Sequence, residues 1–256
     1  MAVTFEHHHG VGSITLDNPP ANSYDLDVMS EFGGAVDDAI DSGARAIVVR
    51  SASAKFFSAG ADVKKFLAGD VPANMEMIGI SQAAFRRMAE SPAVFIAHIA
   101  GHALGGGLEI ALACDVRLAT AGTYKLGTPE VTLGLLPGNG GTQRLTRLLG
   151  PSRAMDLLLT GRTFTPAQAQ EWGLVAAVYD PVDADDLVRA YAAALAHGPA
   201  LAIAAIKRCV YEGGEQPLSE GLALEAELVE HLFGTQDARE GLHAFLDKRT
   251  PEFVGA

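Results

Sequence analysis

Two stretches of small residues and two glutamates hold the chemistry this sequence can offer. Ser58-Ala59-Gly60-Ala61-Asp62 follows Phe56-Phe57 and leads into the helix-like Val63–Ala68. Gly101-His102-Ala103-Leu104-Gly105-Gly106-Gly107-Leu108-Glu109 follows the apolar residues 93–99 and opens a helix-like segment over 108–113. Turns of this kind leave backbone N–H groups unbonded at the positive end of a helix and let a ligand come close to them. One such turn can hold a phosphate. Two together can hold the oxygen of a carbonyl as it becomes an oxyanion. A glycine-rich turn taken alone is explained as well by tight packing. No GxxxxGK followed by Ser or Thr occurs, which excludes a P-loop, and Gly138-Asn139-Gly140-Gly141 has neither the strand nor the spacing of a dinucleotide loop.

Glu109 falls in the first turn of its helix, between Leu108 and Ile110-Ala111-Leu112. A carboxylate there is favourable as a helix-start charge, by about 0.3–1 kcal/mol. Its neighbours nevertheless predict burial, and a buried carboxyl needs partners or a raised pKa, the setting of a general acid or base. Glu130 follows Pro129 and precedes Val131-Thr132-Leu133-Gly134-Leu135-Leu136-Pro137, a second carboxyl in apolar company. On its own it is explained equally by a helix cap or a surface position.

The elements that must carry these residues alternate. Val11–Leu16 alternates like a strand and stops at Asp17-Asn18-Pro19-Pro20. Leu26, Met29, Phe32, Val36, Ala39 and Ile40 recur at helical spacing up to Ser42-Gly43. Further strands are predicted over 46–49, 93–99 and 116–119, and helices over 81–90, 108–113 and 141–149. Beyond about Pro181 only helices follow, over 183–196, 199–211 with Pro199 in the first helical position, Leu218–Phe233 and 235–246. The pattern predicts an α/β core over residues 1–180 and a helical region over 181–256. No repeat and no low-complexity segment is visible in the sequence.

Of the 256 residues, 48% are hydrophobic and 20% charged, which excludes a disordered or fibrous chain. The longest apolar runs fall far short of a bilayer span. The start, Met1-Ala2-Val3-Thr4-Phe5-Glu6, has neither the parts of a signal peptide nor the Arg-rich face of a transit peptide, so a cytoplasmic protein without membrane attachment is expected. A net charge of −12 argues against nucleic acid or an anionic membrane as partner, but leaves room for a small anionic ligand held by local donors. Cys114 and Cys209, far apart and without a CxxC or Cys/His pattern, predict neither a disulfide frame nor a zinc site.

The motifs taken in order carry a resemblance. Residues 58–62, then Ala103-Leu104-Gly105-Gly106-Gly107-Leu108-Glu109, then Pro129-Glu130, then Leu135-Leu136-Pro137-Gly138-Asn139-Gly140-Gly141-Thr142-Gln143-Arg144-Leu145 resemble the crotonase (enoyl-CoA hydratase/isomerase) superfamily. So do Leu159-Thr160-Gly161 and Ala169-Gln170-Glu171-Trp172-Gly173-Leu174-Val175. The likeness extends from Ile14 to Phe245-Leu246-Asp247-Lys248-Arg249. It implies an α/β spiral core of repeated ββα units, with the C-terminal helices building a homotrimer or hexamer. It implies an oxyanion hole from the N–H groups of Ala61 and Gly106, and a catalytic pair on water from Glu109 and Glu130. Gly138 would help hold that water, and Ala59, Gly60, Ala61, Asp62 and Val63 would bind coenzyme A, with Lys64 and Lys65 as candidates for its phosphates. The implied substrate is an acyl-CoA thioester, with no separate cofactor and no metal. Both acids together imply hydration of a trans-2-enoyl-CoA. An isomerase or acyl-CoA hydrolase on the same scaffold, or a non-catalytic RNA-binding relative, are the alternatives.

The sequence departs from the resemblance in two places. Ala121-Gly122-Thr123-Tyr124-Lys125 is one residue longer than the usual pattern, which threatens to displace Glu130, and Leu126 replaces a common aromatic, which would enlarge the acyl site. The acyl wall is expected over 74–80, with Met75 and Met77. His7-His8-His9 reads as a strand end or hairpin in preference to a metal site. His98 reads as a core histidine, His102 as a candidate for the site wall and Trp172 as packing.

Overall fold

Apolar residues spaced by two build strands and those spaced by three and four build helices, and the chain switches between the periods as far as Tyr179. A computed structural model describes residues 1–256. In order it contains β1 (Val3–His8), β2 (Val11–Leu16), β3 (Ser23–Tyr24), α1 (Leu26–Asp41), β4 (Ala46–Ser51), β5 (Phe56–Ser58), β6 (Gly60–Ala61), α2 (Val63–Ala68), α3 (Val71–Glu90), β7 (Val94–Ile99) and β8 (His102–Leu104). Then come α4 (Gly106–Ala113), β9 (Val116–Thr120), β10 (Leu126–Gly127), a 3₁₀ turn over Pro129–Leu133, α5 (Gly141–Thr160), α6 (Pro166–Glu171) and β11 (Ala177–Tyr179). Only helical elements follow: α7 (Ala184–Ala196), α8 (Ala200–Tyr211), a 3₁₀ turn over Gly213–Glu215, α9 (Leu218–Phe233) and α10 (Gln236–Asp247).

The main sheet has the order β1-β2-β4-β7-β9-β11 and is antiparallel only between β1 and β2. A second, parallel sheet has the order β10-β8-β5, and β3 pairs with β6. The pairs β4-β5, β7-β8 and β9-β10 repeat one step: the first strand joins the main sheet, the second joins the small one, and a helix follows. This winding is the ββα spiral. No residue pattern repeats with it, because what recurs is a turn out of the sheet, which different residues satisfy.

All six residues of β7 are buried, as expected for a parallel strand covered on both faces. Ile47, Val49 and Phe95 belong to the large core with α1 and α4, while Ala46, Val48, Ile96 and Leu118 pack with Val188, Ala192 and Ala196 of α7. Helix α4 is buried at every position, the place for a helix that is apolar all round.

Several boundaries differ from those predicted. Helix α3 begins at Val71, not at residue 81, because Asp70 caps it by accepting from the Ala73 N–H at 2.9 Å and Pro72 sits in its first turn. Helix α5 continues past residue 149 through a break at Gly150 (φ 73°, ψ 160°). Pro199 stands just outside α8 as its N-cap. The prediction missed α6, opened by a capping box between Thr165 and Gln168, and β11, whose three residues become a strand only by pairing with β9. His9 and Gly10, both at positive φ, turn β1 back into β2, forming the expected hairpin. No single helix is long and apolar enough to cross a membrane.

One buried ion pair fastens α8 to this core. Lys207 Nζ donates to the carbonyls of Met88 and Ala93, both at 2.7 Å, and pairs with Asp115 Oδ2 at 2.9 Å. Asp115 also accepts from the Phe95 N–H at 2.7 Å and the Tyr211 hydroxyl at 2.8 Å. Removing one partner strands the other's charge in the interior. Asp115→Ala is therefore expected to lower stability by about 3–5 kcal/mol, measured by urea unfolding at one protein concentration.

Candidate active site

The two glycine-rich turns meet backbone to backbone. A Cβ on Gly60 (φ 86°) would lie 2.8 Å from the Leu104 carbonyl oxygen and 3.1 Å from the Gly106 nitrogen, and one on Gly107 would lie 2.2 Å from the Ser58 oxygen. Each turn holds a short strand, β6 or β8, that the sequence does not announce. Successive amides of a strand face opposite sides. The Asp62 N–H donates to the Tyr24 carbonyl at 2.8 Å, so the Ala61 N–H faces away from β3. Gly106 is the first residue of α4, where an N–H has no intrahelical acceptor. Ala61 and Gly106 both line a cavity of about 490 Å³.

Both glutamates line the same cavity. Glu109 is buried, and its Oε1 accepts from the N–H groups of Asn139 at 2.8 Å and Gly141 at 2.7 Å. Burial favours the neutral acid and the Glu130 charge adds to that, while the two N–H bonds and the Arg144 cation oppose it; the result is a pKa pushed up to about 7. Glu130 rides on the 3₁₀ turn begun by Pro129 and ended by Gly134 at φ 73°. Its Oε2 is buried without a partner, and burial raises its pKa. A Cβ on Gly105 would lie 3.0 Å from Glu130 Oε1, so that glycine makes room for the acid.

The longer loop does not displace Glu130. Ala121, Gly122 and Thr123 are exposed, and the Tyr124 hydroxyl lies 2.6 Å from both the Ile99 and Thr120 carbonyls. The surplus residue is taken up in solvent, and β10 pairs with β8 before Glu130 is reached. Gly138 also lines the cavity; its carbonyl accepts from Gln82 Nε2 at 2.8 Å, leaving its N–H for a ligand.

Of the segment expected to bind coenzyme A, Ala59, Gly60, Ala61 and Val63 line the cavity. Asp62 does not: its side chain caps α2 by accepting from the N–H groups of Lys64 and Lys65. Lys65 pairs with Asp25, and neither lysine lines the cavity. Met77 is in the wall, but Met75 is on the outer face of α3, over half exposed. Leu126 is wholly buried in β10, away from the cavity, because its register with Ala103 turns it into the core. His102 packs on Phe56 and accepts from the Lys125 N–H, outside the site. His98 is buried against Thr120 and Asp185, and Trp172 packs on Phe164.

Sequence reasoning missed Tyr24 and the Asn139 side chain. Both line the cavity, and Asn139 Nδ2 donates to the Tyr24 hydroxyl at 3.1 Å. Asn139 lies within a quoted motif, whereas Tyr24 belongs to a two-residue strand too short for any periodicity to reveal.

Residues 6–256 match the family model described as enoyl-CoA hydratase/isomerase. The chain is 42% identical over 259 residues to the probable enoyl-CoA hydratase echA8 of Mycobacterium bovis, covering 98% of this chain and 97% of that one. It is 38% identical over 252 residues to the 2,3-dehydroadipyl-CoA hydratase of Escherichia coli, covering 94% of each. The crystal structure of an enoyl-CoA hydratase from Bacillus anthracis superposes with a TM-score of 0.94 at 33% identity, covering 100% of both chains.

The folded state holds the Glu109 proton more tightly than the unfolded chain does. This carboxyl therefore costs no stability below its ordinary value of 4.5, costs progressively more as pH rises to about 7, and costs its full amount above that. Glu109→Gln keeps an acceptor for Asn139 and Gly141 but cannot ionise. Its Tm relative to the parent is expected to rise between about pH 5 and about pH 8, measured by calorimetry at both.

Proposed function

The chain belongs to the enoyl-CoA hydratase/isomerase family, and from that premise we propose that it adds water across the double bond of a trans-2-enoyl-CoA to give the 3-hydroxyacyl-CoA. The observation that carries this reading is the placement of two carboxyls, Glu109 and Glu130, on the wall of the cavity that Ala61 and Gly106 also line.

The thioester oxygen lies between those two amides. Drawing electron density toward it makes C3 electrophilic and stabilises the enolate-like charge that follows attack. An oxyanion donor of this kind contributes about 2.7–4 kcal/mol. One glutamate takes a proton from water as its oxygen bonds to C3, and the other delivers a proton to C2, so water is divided between the two carbons. Each transfer contributes roughly 10²–10⁴-fold. A carboxyl poised near neutrality suits both directions of exchange, as Glu109 is. The Gly138 N–H orients the water. Coenzyme A enters as part of the substrate and runs past Ala59, Gly60 and Val63. Migration of a double bond needs only one proton-carrying group, so the presence of both acids favours hydration.

The same reading includes self-association through the C-terminal helices, as a trimer or hexamer. Its support is the exposed apolar surface of α9 and α10, including Leu222, Phe233, Leu242, Phe245 and Leu246.

Glu109→Gln and Glu130→Gln are each expected to lower turnover of a trans-2-enoyl-CoA by roughly 10²–10⁴-fold with an unchanged circular dichroism spectrum. Loss of the conjugated enoyl absorbance is the assay. Undiminished hydration by the Glu130→Gln enzyme overturns the two-acid mechanism.

A further inference from the structure

Tyr24 touches both glycine-rich turns and the loop that carries Asn139. Its backbone is in register with Ala61, and its carbonyl accepts the Asp62 N–H at 2.8 Å. Its ring crosses to the other turn, where the hydroxyl stands 1.6 Å from the place a Cβ on Gly106 would occupy. Gly106 must therefore be glycine because of the tyrosine laid against it, and its own φ makes no such demand. The hydroxyl accepts from Asn139 Nδ2 at 3.1 Å, and the Asn139 backbone N–H in turn holds Glu109.

That arrangement uses a lone pair of the phenol and leaves its proton unspent. Tyr24 is 4% exposed and lines the cavity; with the Asn139 amide turned so that Nδ2 faces the phenol and Oδ1 is left buried without a partner, no protein acceptor is hydrogen-bonded to the Tyr24 O–H. A buried donor without an acceptor is costly, so an acceptor supplied by a ligand is the expected complement. The proton is available beside the Gly106 amide, at the positive end of α4. Burial and the charges of Glu109 and Glu130 push the phenol's pKa far up, so it remains a donor throughout the working pH range.

We propose that the Tyr24 hydroxyl is a third hydrogen-bond donor to the thioester carbonyl oxygen, beside the Ala61 and Gly106 amides. The inference rests on the acyl-CoA reading of the site. No bond to hydrogen breaks in this role: the phenol keeps its proton and stabilises negative charge as it develops on the oxygen. Tyr24 thereby couples oxyanion stabilisation to the loop whose Asn139 N–H holds Glu109.

The test is infrared difference spectroscopy of the carbonyl band of a ¹³C=O-labelled trans-2-enoyl-CoA, at equilibrium with its hydrated product, bound to the full-length parent, to Tyr24→Phe and to a protein with 3-fluorotyrosine at position 24. Loss of the donor is expected to move the band to higher wavenumber and lower kcat/KM by roughly 10²-fold. The more acidic fluorinated phenol donates more strongly and is expected to move the band below that of the parent. This variant also preserves the test if Tyr24→Phe folds poorly. A band that stays in place in both variants overturns the proposal even if turnover falls, because the hydroxyl then only props Gly106 and Asn139. A parent protein that neither hydrates the thioester nor shifts its carbonyl band refutes the acyl-CoA reading itself, and this proposal with it.

Discussion

The contact between the Gly60 turn and the start of α4 is the constraint on which the rest depends. Two amides can polarise one oxygen only if they converge on it, and convergence requires two main chains closer than side chains permit. The Gly60 and Gly107 positions have no room for a Cβ. What makes the contact rigid lies outside it: β3 pairs with β6 on one side, and α4 is buried at all eight positions on the other. Donors held this way need not reorganise as charge develops, which is why they are effective in a water-poor site.

The same helix start sets the electrostatics. Its positive end favours negative charge, while burial opposes it, and Glu109 stands where both act. Two backbone N–H bonds and Arg144 draw it toward the carboxylate, yet burial prevails and holds it near neutrality. Glu130 reaches the cavity from a separate 3₁₀ turn and is raised by burial as well. Two acids, one from a helix and one from a 3₁₀ turn, thus share one apolar enclosure. The chain is strongly acidic, Lys65 is tied to Asp25, and neither Lys64 nor Lys65 lines the cavity. The cavity wall thus offers backbone amides and no lysine from this segment.

The helical region is secured to the core in a different manner. Lys207 reaches the carbonyls of Met88 and Ala93 and the carboxylate of Asp115, bringing together α8, the end of α3 and the start of β7. Helix α7 instead covers the outer face of the main sheet by apolar contact, with Asp185 at its start against His98 of β7. Helix α9 has no fully buried residue, so its own apolar side is not used up within the chain.

By itself the sequence determined the alternation of strands and helices, the helical tail and the motifs whose residues line the cavity. Those features are local: a period of two or of three to four, a cap, or an ordered set of glycines and acids is complete within a few residues. It also marked Glu109 for burial, since every neighbour on its helix is apolar. Tertiary structure alone decided that the surplus residue before Lys125 bulges into solvent and leaves Glu130 in the cavity, that Leu126 faces the core, and that Met77 lines the wall while Met75 does not. It alone made strands of β3, β6, β8 and β11, which have two or three residues each and owe their form to their partners. Tyr24 belongs to this second group. Its ring meets Gly106 and its hydroxyl meets Asn139, residues far along the chain, and no local pattern encodes a distance between segments that only folding brings together.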